Sequence, residues 1–313
     1  NGFLDENKFD NEFFYEMEVG FSNKVSLLQL NEFSNPVKVH NDKYPFYTSS
    51  SINMKKHFNQ FAHWLKEKYL HNSSKLIEVG SNDGTLLENF KNTNIEAVGF
   101  EPSITIAELA NKKNIKTLSK FFNTQNLDEI RNFHSSVDVI CSANVIAHIP
   151  DLKDVIKCVD KLLSSKGLLI FEEPYLGSMF SKISYDQIYD EHIFMFSVNS
   201  IKKIFDLFDF QLIDVLPQVT HGGSMRYVIA RKNKHKKSEM VSKFLDEEQS
   251  KKLDTIESCL NFKKACEFSK KMTKEKLNNF KENGKKICGY AATAKSTTVL
   301  NYCNIGNNLI DYI

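Results

Sequence analysis

What this chain lacks narrows its class first. Its 313 residues hold 41 Lys and Arg against 39 Asp and Glu, a formal net charge of +2, so neither sign is in excess. Without a basic surplus there is no electrostatic reason to expect a nucleic-acid or anionic-membrane partner. No apolar run approaches the ~18 residues of a membrane span, and no signal-peptide pattern opens the chain. The six cysteines (Cys141, Cys158, Cys259, Cys266, Cys288, Cys303) form no C-x-x-C pair, and several sit inside apolar stretches. They are expected to be reduced thiols of a cytoplasmic protein, with neither a disulfide framework nor a metal site. What remains is a globular composition, 41% hydrophobic and 26% charged, with room for two domains or slightly more. The chain opens on Asn1 without a Met and closes inside an expected strand, residues 309–313, as a piece of a longer protein would.

The stretch that organises the rest is 75–90. Leu76-Ile77-Glu78-Val79 reads as a short buried strand, Gly80-Ser81-Asn82-Asp83-Gly84 as a loop of turn-forming residues, and 85–90 as the opening of a helix. A strand, a glycine loop and a helix N-terminus together bring backbone N–H groups up to a ligand. About twenty residues on, Ala97-Val98-Gly99-Phe100-Glu101 is a second strand ending in an acid, where a ribose diol is usually gripped, and Pro102-Ser103 starts another helix. The spacing is E-x-G-x-x-x-G, not the G-x-G-x-x-G of a dinucleotide site. Here the chain resembles the class I S-adenosylmethionine-dependent methyltransferases, whose first motif is this glycine loop and whose second strand ends in an acid like Glu101. That resemblance implies S-adenosyl-L-methionine as cofactor. The residues expected to hold it are Glu78, Gly80, Asn82, Asp83, Gly84, Glu101, Pro102, Ser103 and Asn144.

Around this stretch the expected class is α/β: a class I methyltransferase Rossmann-like sheet with helices on both faces. Residues 1–51 form a small irregular N-terminal segment, with short strands expected at 3–4, 13–15 and 25–30. Apolar residues at helical spacing predict an amphipathic helix over 52–70. Alternating strands and ten-residue helices then continue to residue 231, and the loops after Val79, Glu101, Ala143 and Glu173 share one edge of the sheet, where ligands sit. Residues 232–284 read as a helical connector. Residues 285–313, strand–loop–helix–strand, read as the start of a second α/β domain.

The chemistry is expected just past the sheet. Tyr189-Asp190-Glu191-His192 puts a phenol, two carboxylates and an imidazole within four residues, and His148 lies in the loop after the fourth strand on the same edge. Histidine is the natural proton acceptor near neutral pH, and a neighbouring carboxylate raises its basicity. Beside a methyl donor such a set suits removal of a proton next to a carbonyl, the enolate then taking the methyl group. An O- or N-methyltransferase needs less, at most one base and good positioning.

Six blocks carry a closer resemblance: E-V-G-S-N-D-G-T-L-L, G-F-E-P-S, N-V-I-A-H-I-P-D-L, Y-D-Q-I-Y-D-E-H, T-H-G-G-S-M-R and G-Y-A-A-T-A-K-S. In that order they are similar to the sugar C-methyltransferases that act on nucleotide-linked keto-deoxysugars, from about Tyr44 to the end. The resemblance implies methylation of carbon 3 beside a 4-keto group on a nucleotide-linked hexose, the dTDP-sugar being the implied partner. His192 becomes the candidate base, Glu191 and Tyr189 its partners, His148 a second catalytic or substrate-contacting group, and Tyr44 (or nearby Tyr47) the active-site tyrosine of the N-terminal segment. Tyr47, His221, Gly222, Gly223, Arg226 and Lys295 are the expected substrate contacts. Family members carry an N-terminal zinc module. Here Ser22 and Val25 stand at the second cysteine pair, so the segment is expected to be a metal-free remnant. The last block is one residue from a P-loop, with Ala294 at the second glycine, which removes the backbone freedom that a P-loop needs. Lys295 is kept as a diphosphate contact, and the Lys-rich run 231–237 as a solvated linker. An O- or N-methyltransferase and a non-catalytic binder of cofactor or nucleotide-sugar stay open, as does the oligomeric state.

Overall fold

The computed structural model describes residues 16–39, 44–133, 136–290 and 293–313. The strands expected at 3–4 and 13–15 lie outside the described residues. The N-terminal segment contributes a hairpin of β1 (Val19–Ser22) and β2 (Leu27–Leu30), followed by a single turn, α1 (Pro36–Val39). The turn takes residues from the strand expected at 25–30, Ser26 adopting φ +52°. Ser51 then caps α2 (Ile52–Lys68) by accepting the Met54 N–H at 3.3 Å.

The alternating part runs β3 (Lys75–Val79), β4 (Glu96–Phe100), α3 (Ile104–Lys112), β5 (Thr117–Leu118), β6 (Val137–Ala143), α4 (Leu152–Leu162) and β7 (Leu163–Pro174). It continues through α5 (Leu176–Lys182), β8 (Phe194–Met195), α6 (Val198–Asp206), β9 (Phe210–Gln218) and β10 (Ser224–Arg231). Seven of these strands form one sheet in the order β5-β4-β3-β6-β7-β10-β9. All run parallel except β10, which is antiparallel to both of its neighbours. The order reverses at β3, so the loops after β3, β4, β6 and β7 gather at one edge.

The period-2 alternation of the strands splits the core in two. Ile77 and Val79 face a layer containing Val155, Ile156 and Val159 of α4 with Val198 and Ile201 of α6. Leu76 faces Phe58, Phe61 and Leu65 of α2 and Ala110 of α3. Each fully buried side chain of this kind contributes roughly 1.5–3 kcal/mol. β8 pairs with β2 in a separate three-stranded sheet, which ties the N-terminal hairpin to the segment before α6. The connector consists of α7 (Glu239–Ser250) and α8 (Ile256–Glu282), and α9 (Ala294–Cys303) follows.

Three expectations need correction. No α-helix follows the glycine loop: turns lead to one 3-10 turn, Leu87–Phe90. Asn89 Nδ2 takes the Thr85 and Leu86 carbonyls (3.1 and 3.0 Å), acceptors that a continuing helix would use. A glycine at 167 reads in the sequence as the end of the helix over 152–163, yet it does not separate α4 from the next strand. β7 starts at Leu163, and its pairing with β6 slips so that Leu163 and Leu168 straddle an irregular stretch containing Gly167. At the C-terminus the two expected strands reduce to one parallel bridge, Cys288 with Tyr312.

Candidate active site

The cofactor edge grows directly out of β3. Period 2 points Glu78 to the same side as Leu76, where it is wholly buried. Burial, reinforced by Glu101 and Asp83, pushes its carboxyl well above the usual range. Its Oε2 has no hydrogen-bond partner. Gly80 turns the chain at φ +68°, and a Cβ there would fall 2.3 Å from Val145 Cγ2, so only glycine fits. At the end of β4, Glu101 accepts the Ser103 N–H at 2.9 Å and the Asn82 N–H at 3.1 Å. Burial still raises its pKa against those two bonds. Asn144, at the end of β6 with φ +58°, keeps a buried Oδ1 without a partner.

The side chains of Asn82 and Asp83 turn the other way. Asn82 Oδ1 accepts the Thr48 N–H (2.9 Å) and Asn82 Nδ2 donates to the Phe46 carbonyl (3.1 Å). Asp83 accepts from Ser49 N–H at 3.2 Å and from the Thr85 hydroxyl at 2.6 Å. Burial works against the Asp83 carboxylate, but these bonds and Lys113 outweigh it and leave its pKa lowered.

The acid–base cluster is assembled from three stretches far apart in sequence. His192 is 3% exposed. Its Nδ1 lies 2.7 Å from the Gln187 carbonyl, which can only accept, so Nδ1 carries the proton and Nε2 the lone pair. Nε2 accepts the Tyr189 hydroxyl at 2.9 Å, the two rings lying 4.1 Å apart. Burial, helped by Lys295 and His221, pulls the His192 pKa down to about 3, so the ring is neutral. The His148 ring centroid is 5.2 Å from that of His192, and its Nδ1 is 3.8 Å from Glu191 Oε2. The same Oε2 accepts the Tyr44 hydroxyl at 3.1 Å. Burial raises the pKa of both Tyr44 and Tyr189, with Glu191 adding to each. Tyr44 therefore joins the cluster, whereas Tyr47 is 38% exposed.

The expected substrate contacts divide. His221 (φ +50°), Gly222 (φ +79°) and Gly223 (φ +129°) form the turn from β9 into β10 on the ligand edge. Burial, with Lys295 and His57, takes His221 down to about 4. Arg226 does not face this edge: it is 5% exposed, its Nε donates to Glu172 Oε1 at 2.7 Å, and its guanidinium stacks over Phe61 and Trp64. His57 Nε2 meets the other oxygen of Glu172 at 2.6 Å. A carboxylate this deeply buried needs both partners, so Arg226 is committed to Glu172. Lys295, in the first turn of α9, lines an open groove of about 460 Å³ with Lys182, Ser184, Asp186, Ser269 and Thr293.

Gln187, Glu172 and Glu173 were not singled out from sequence. Glu173 Oε1 accepts the N–H groups of Val145 (2.9 Å) and Ala147 (3.1 Å), which holds the loop bearing His148. Burial lifts its carboxyl to about 8, against those bonds. F-E-E-P at a strand's ligand-edge end was the available signal, two adjacent acids in an apolar run.

Residues 54–215 match the model of a methyltransferase domain. The chain belongs to the methyltransferase-domain family. Residues 219–313 match the C-methyltransferase C-terminal domain. The chain is similar to the C-methyltransferase NovU of Streptomyces niveus, 27% identical over 271 residues, which cover 86% of this chain and 64% of that relative. It thus spans under two thirds of that relative's length. Among solved structures, magnesium protoporphyrin IX methyltransferase from Synechocystis PCC 6803 with bound SAM is 13% identical, with a TM-score of 0.43 over 58% of this chain and 81% of that one. The CurJ carbon methyltransferase is 16% identical, with a TM-score of 0.41 over 56% and 53%. The cofactor of this methyltransferase domain is S-adenosyl-L-methionine, and the edge fits it. Two buried, unpartnered acceptors, Glu78 Oε2 and Asn144 Oδ1, sit beside a glycine turn that no side chain fills. No helix among the described residues is long and apolar enough to cross a membrane.

Proposed function

We propose that this protein is a C-methyltransferase that methylates carbon 3 of a nucleotide-linked 4-keto-deoxysugar, the dTDP-sugar being the first candidate. The observation that carries the reading is the tautomer of His192: a neutral imidazole with its basic Nε2 turned to Tyr189 and its N–H tied to Gln187. S-adenosylmethionine supplies, when bound, an electrophilic methyl group. His192 Nε2 takes the proton from the carbon beside the carbonyl, and the electron pair of the broken C–H bond moves onto the keto oxygen. At rest the Tyr189 hydroxyl occupies the Nε2 lone pair, so it must turn its hydrogen away as substrate enters, and the phenol oxygen then accepts the new Nε2–H of the imidazolium. His148, beside Glu191, would face the enolate oxygen as a donor, while Tyr44 spends its hydroxyl hydrogen on Glu191 and holds that carboxylate in place. That electron pair would return through the carbon to form the new carbon–methyl bond as the methyl–sulfur bond breaks with its pair left on sulfur, and the proton on His192 would pass to solvent.

Support for a nucleotide-sugar comes from the groove of about 460 Å³, whose Lys182 and Lys295 offer two cations to a diphosphate. The Lys295 charge is felt at His192 and His221, which ties groove and base together. The match of residues 219–313 to a C-methyltransferase domain supports carbon as the acceptor.

The test is solvent deuterium exchange into a dTDP-4-keto-6-deoxyhexose, with S-adenosylhomocysteine in place of the donor. Deuterium at sugar carbon 3 is expected. With S-adenosylhomocysteine binding verified, no incorporation would turn the reading to an O- or N-methyltransferase, or to a binder without turnover.

A further inference from the structure

Asn82 sits in the glycine loop, where it was expected to hold the cofactor, yet both polar atoms of its side chain are used elsewhere. Oδ1 accepts from Thr48 and Nδ2 donates to Phe46, residues 34 and 36 positions away. A positive φ alone, +47° here, accounts for an asparagine in such a turn but not for a pair of bonds across to another segment. Asp83, the next residue, takes the Ser49 N–H of the same segment. Together they pin residues 46–49 to the loop. Two residues upstream of the pinned stretch is Tyr44, whose hydroxyl reaches Glu191 and, through it, His148. The backbone N–H of Asn82 meanwhile goes to Glu101.

We infer that Asn82 is a positioning residue for the acid–base cluster: its side chain clamps the 46–49 strap and so sets where Tyr44 stands against Glu191. This rests on the proposed enolate chemistry for its consequence, but not for the clamp itself. The amide side chain at this position then serves the substrate half of the site, while its backbone N–H is held by Glu101. The strap gives two halves of one reaction a shared fixture, so a defect at Asn82 appears as a fault in proton abstraction.

The test is Asn82→Gly, which keeps the positive φ and the N–H to Glu101 while deleting the clamp. Amide hydrogen exchange, read residue by residue, is expected to quicken at Thr48 by tenfold or more. S-adenosylhomocysteine affinity by calorimetry is expected to stay within about threefold. Deuterium exchange into the dTDP-4-keto-6-deoxyhexose should fall as far as it does in Tyr44→Phe, and the double variant should fall no further, because Asn82 acts through Tyr44. An unchanged Thr48 amide, a tenfold or greater loss of S-adenosylhomocysteine affinity, or losses that multiply in the double variant would each overturn the inference. If the wild-type protein exchanges no sugar proton, the proposed function fails, and the amide and affinity measurements still decide the clamp.

Discussion

The two halves of the site are built on opposite plans. The cofactor edge comes from one strand, its loop and the end of the next strand, with Glu78, Gly80 and Glu101 inside 24 residues of chain. The acid–base cluster draws Tyr44 from before the sheet, His148 from the loop after β6, and Tyr189, Glu191 and His192 from beyond β7. Burial acts on both with opposite sign. It drives the acids Glu78 and Glu101 toward their protonated, neutral forms and the base His192 toward its unprotonated, neutral form. Local chain geometry suffices to cradle a ligand made of many polar groups. Under the proposed enolate chemistry, a base that meets one C–H bond needs walls from several directions, and only tertiary packing supplies them.

If the halves are separable, His192→Asn should slow methyl transfer by about 10²–10⁴-fold and leave S-adenosylhomocysteine affinity unchanged. Calorimetry beside single-turnover rates checks this, and joint loss of both would erase the distinction. Arg226→Met strands the Glu172 carboxylate with His57 alone. Urea unfolding should then show a loss of about 3–5 kcal/mol in stability, whatever happens to binding. A variant of full stability and weakened substrate binding would return Arg226 to the substrate side. Gly80→Ala strikes the cofactor half, because its Cβ meets Val145 and its φ is positive. S-adenosylhomocysteine should bind about 1–3 kcal/mol more weakly, with the tautomer of His192, read by nitrogen NMR, intact.

A further set of tests is in pH. His192 refuses in the fold a proton that the unfolded chain accepts below its ordinary 6.5, so stability falls as pH drops from 6.5 toward about 3. His192→Asn should flatten that acid slope, and the wild-type kcat should show no acid limb near pH 6.5. Glu173 acts in the other direction. Its folded pKa of about 8 lies above the ordinary 4.5, so its contribution is complete below 4.5 and lost as pH rises through about 8. Glu173→Gln keeps an acceptor for Val145 and Ala147 and should remove this alkaline drift. A drift that survives the substitution assigns it to another group.

The contrast also explains what was legible in the sequence. The parallel strands and the helices packed on them announce themselves by local period, and the Gly80–Gly84 loop by its composition. Tyr189, Glu191 and His192 were legible because they are neighbours in the chain. The helix expected after Gly84 failed because the Asn89 side chain takes the Thr85 and Leu86 carbonyls for the turn, a competition that periodicity does not register. Arg226 was placed on the substrate side because a cation in a polar block looks available. Its partner Glu172 lies 54 residues earlier, on the neighbouring strand, and pairing across a sheet leaves no trace in spacing. The side-chain partners of Asn82 were illegible for the same reason, lying upstream in the least regular segment.

One feature of the connector bears on how a bulky ligand enters and leaves. Of the 27 residues of α8 only Phe262 and Cys266 are buried. It is anchored mainly by Phe262 stacked on Phe180 of α5 at 4.4 Å, and Tyr302 of α9 leans back on its Glu267 at 2.7 Å. A helix held by so few apolar anchors opens at a far smaller free-energy cost than the seven-stranded sheet. The groove wall bearing Lys295 and Thr293 rests on that helix and on the turn at 185–188, where Thr298 donates to the Ile188 carbonyl at 3.1 Å, while the cofactor loop belongs to the sheet. A local opening of the outer wall is therefore expected to cost less than any distortion of the glycine turn, which is set in the seven-stranded sheet.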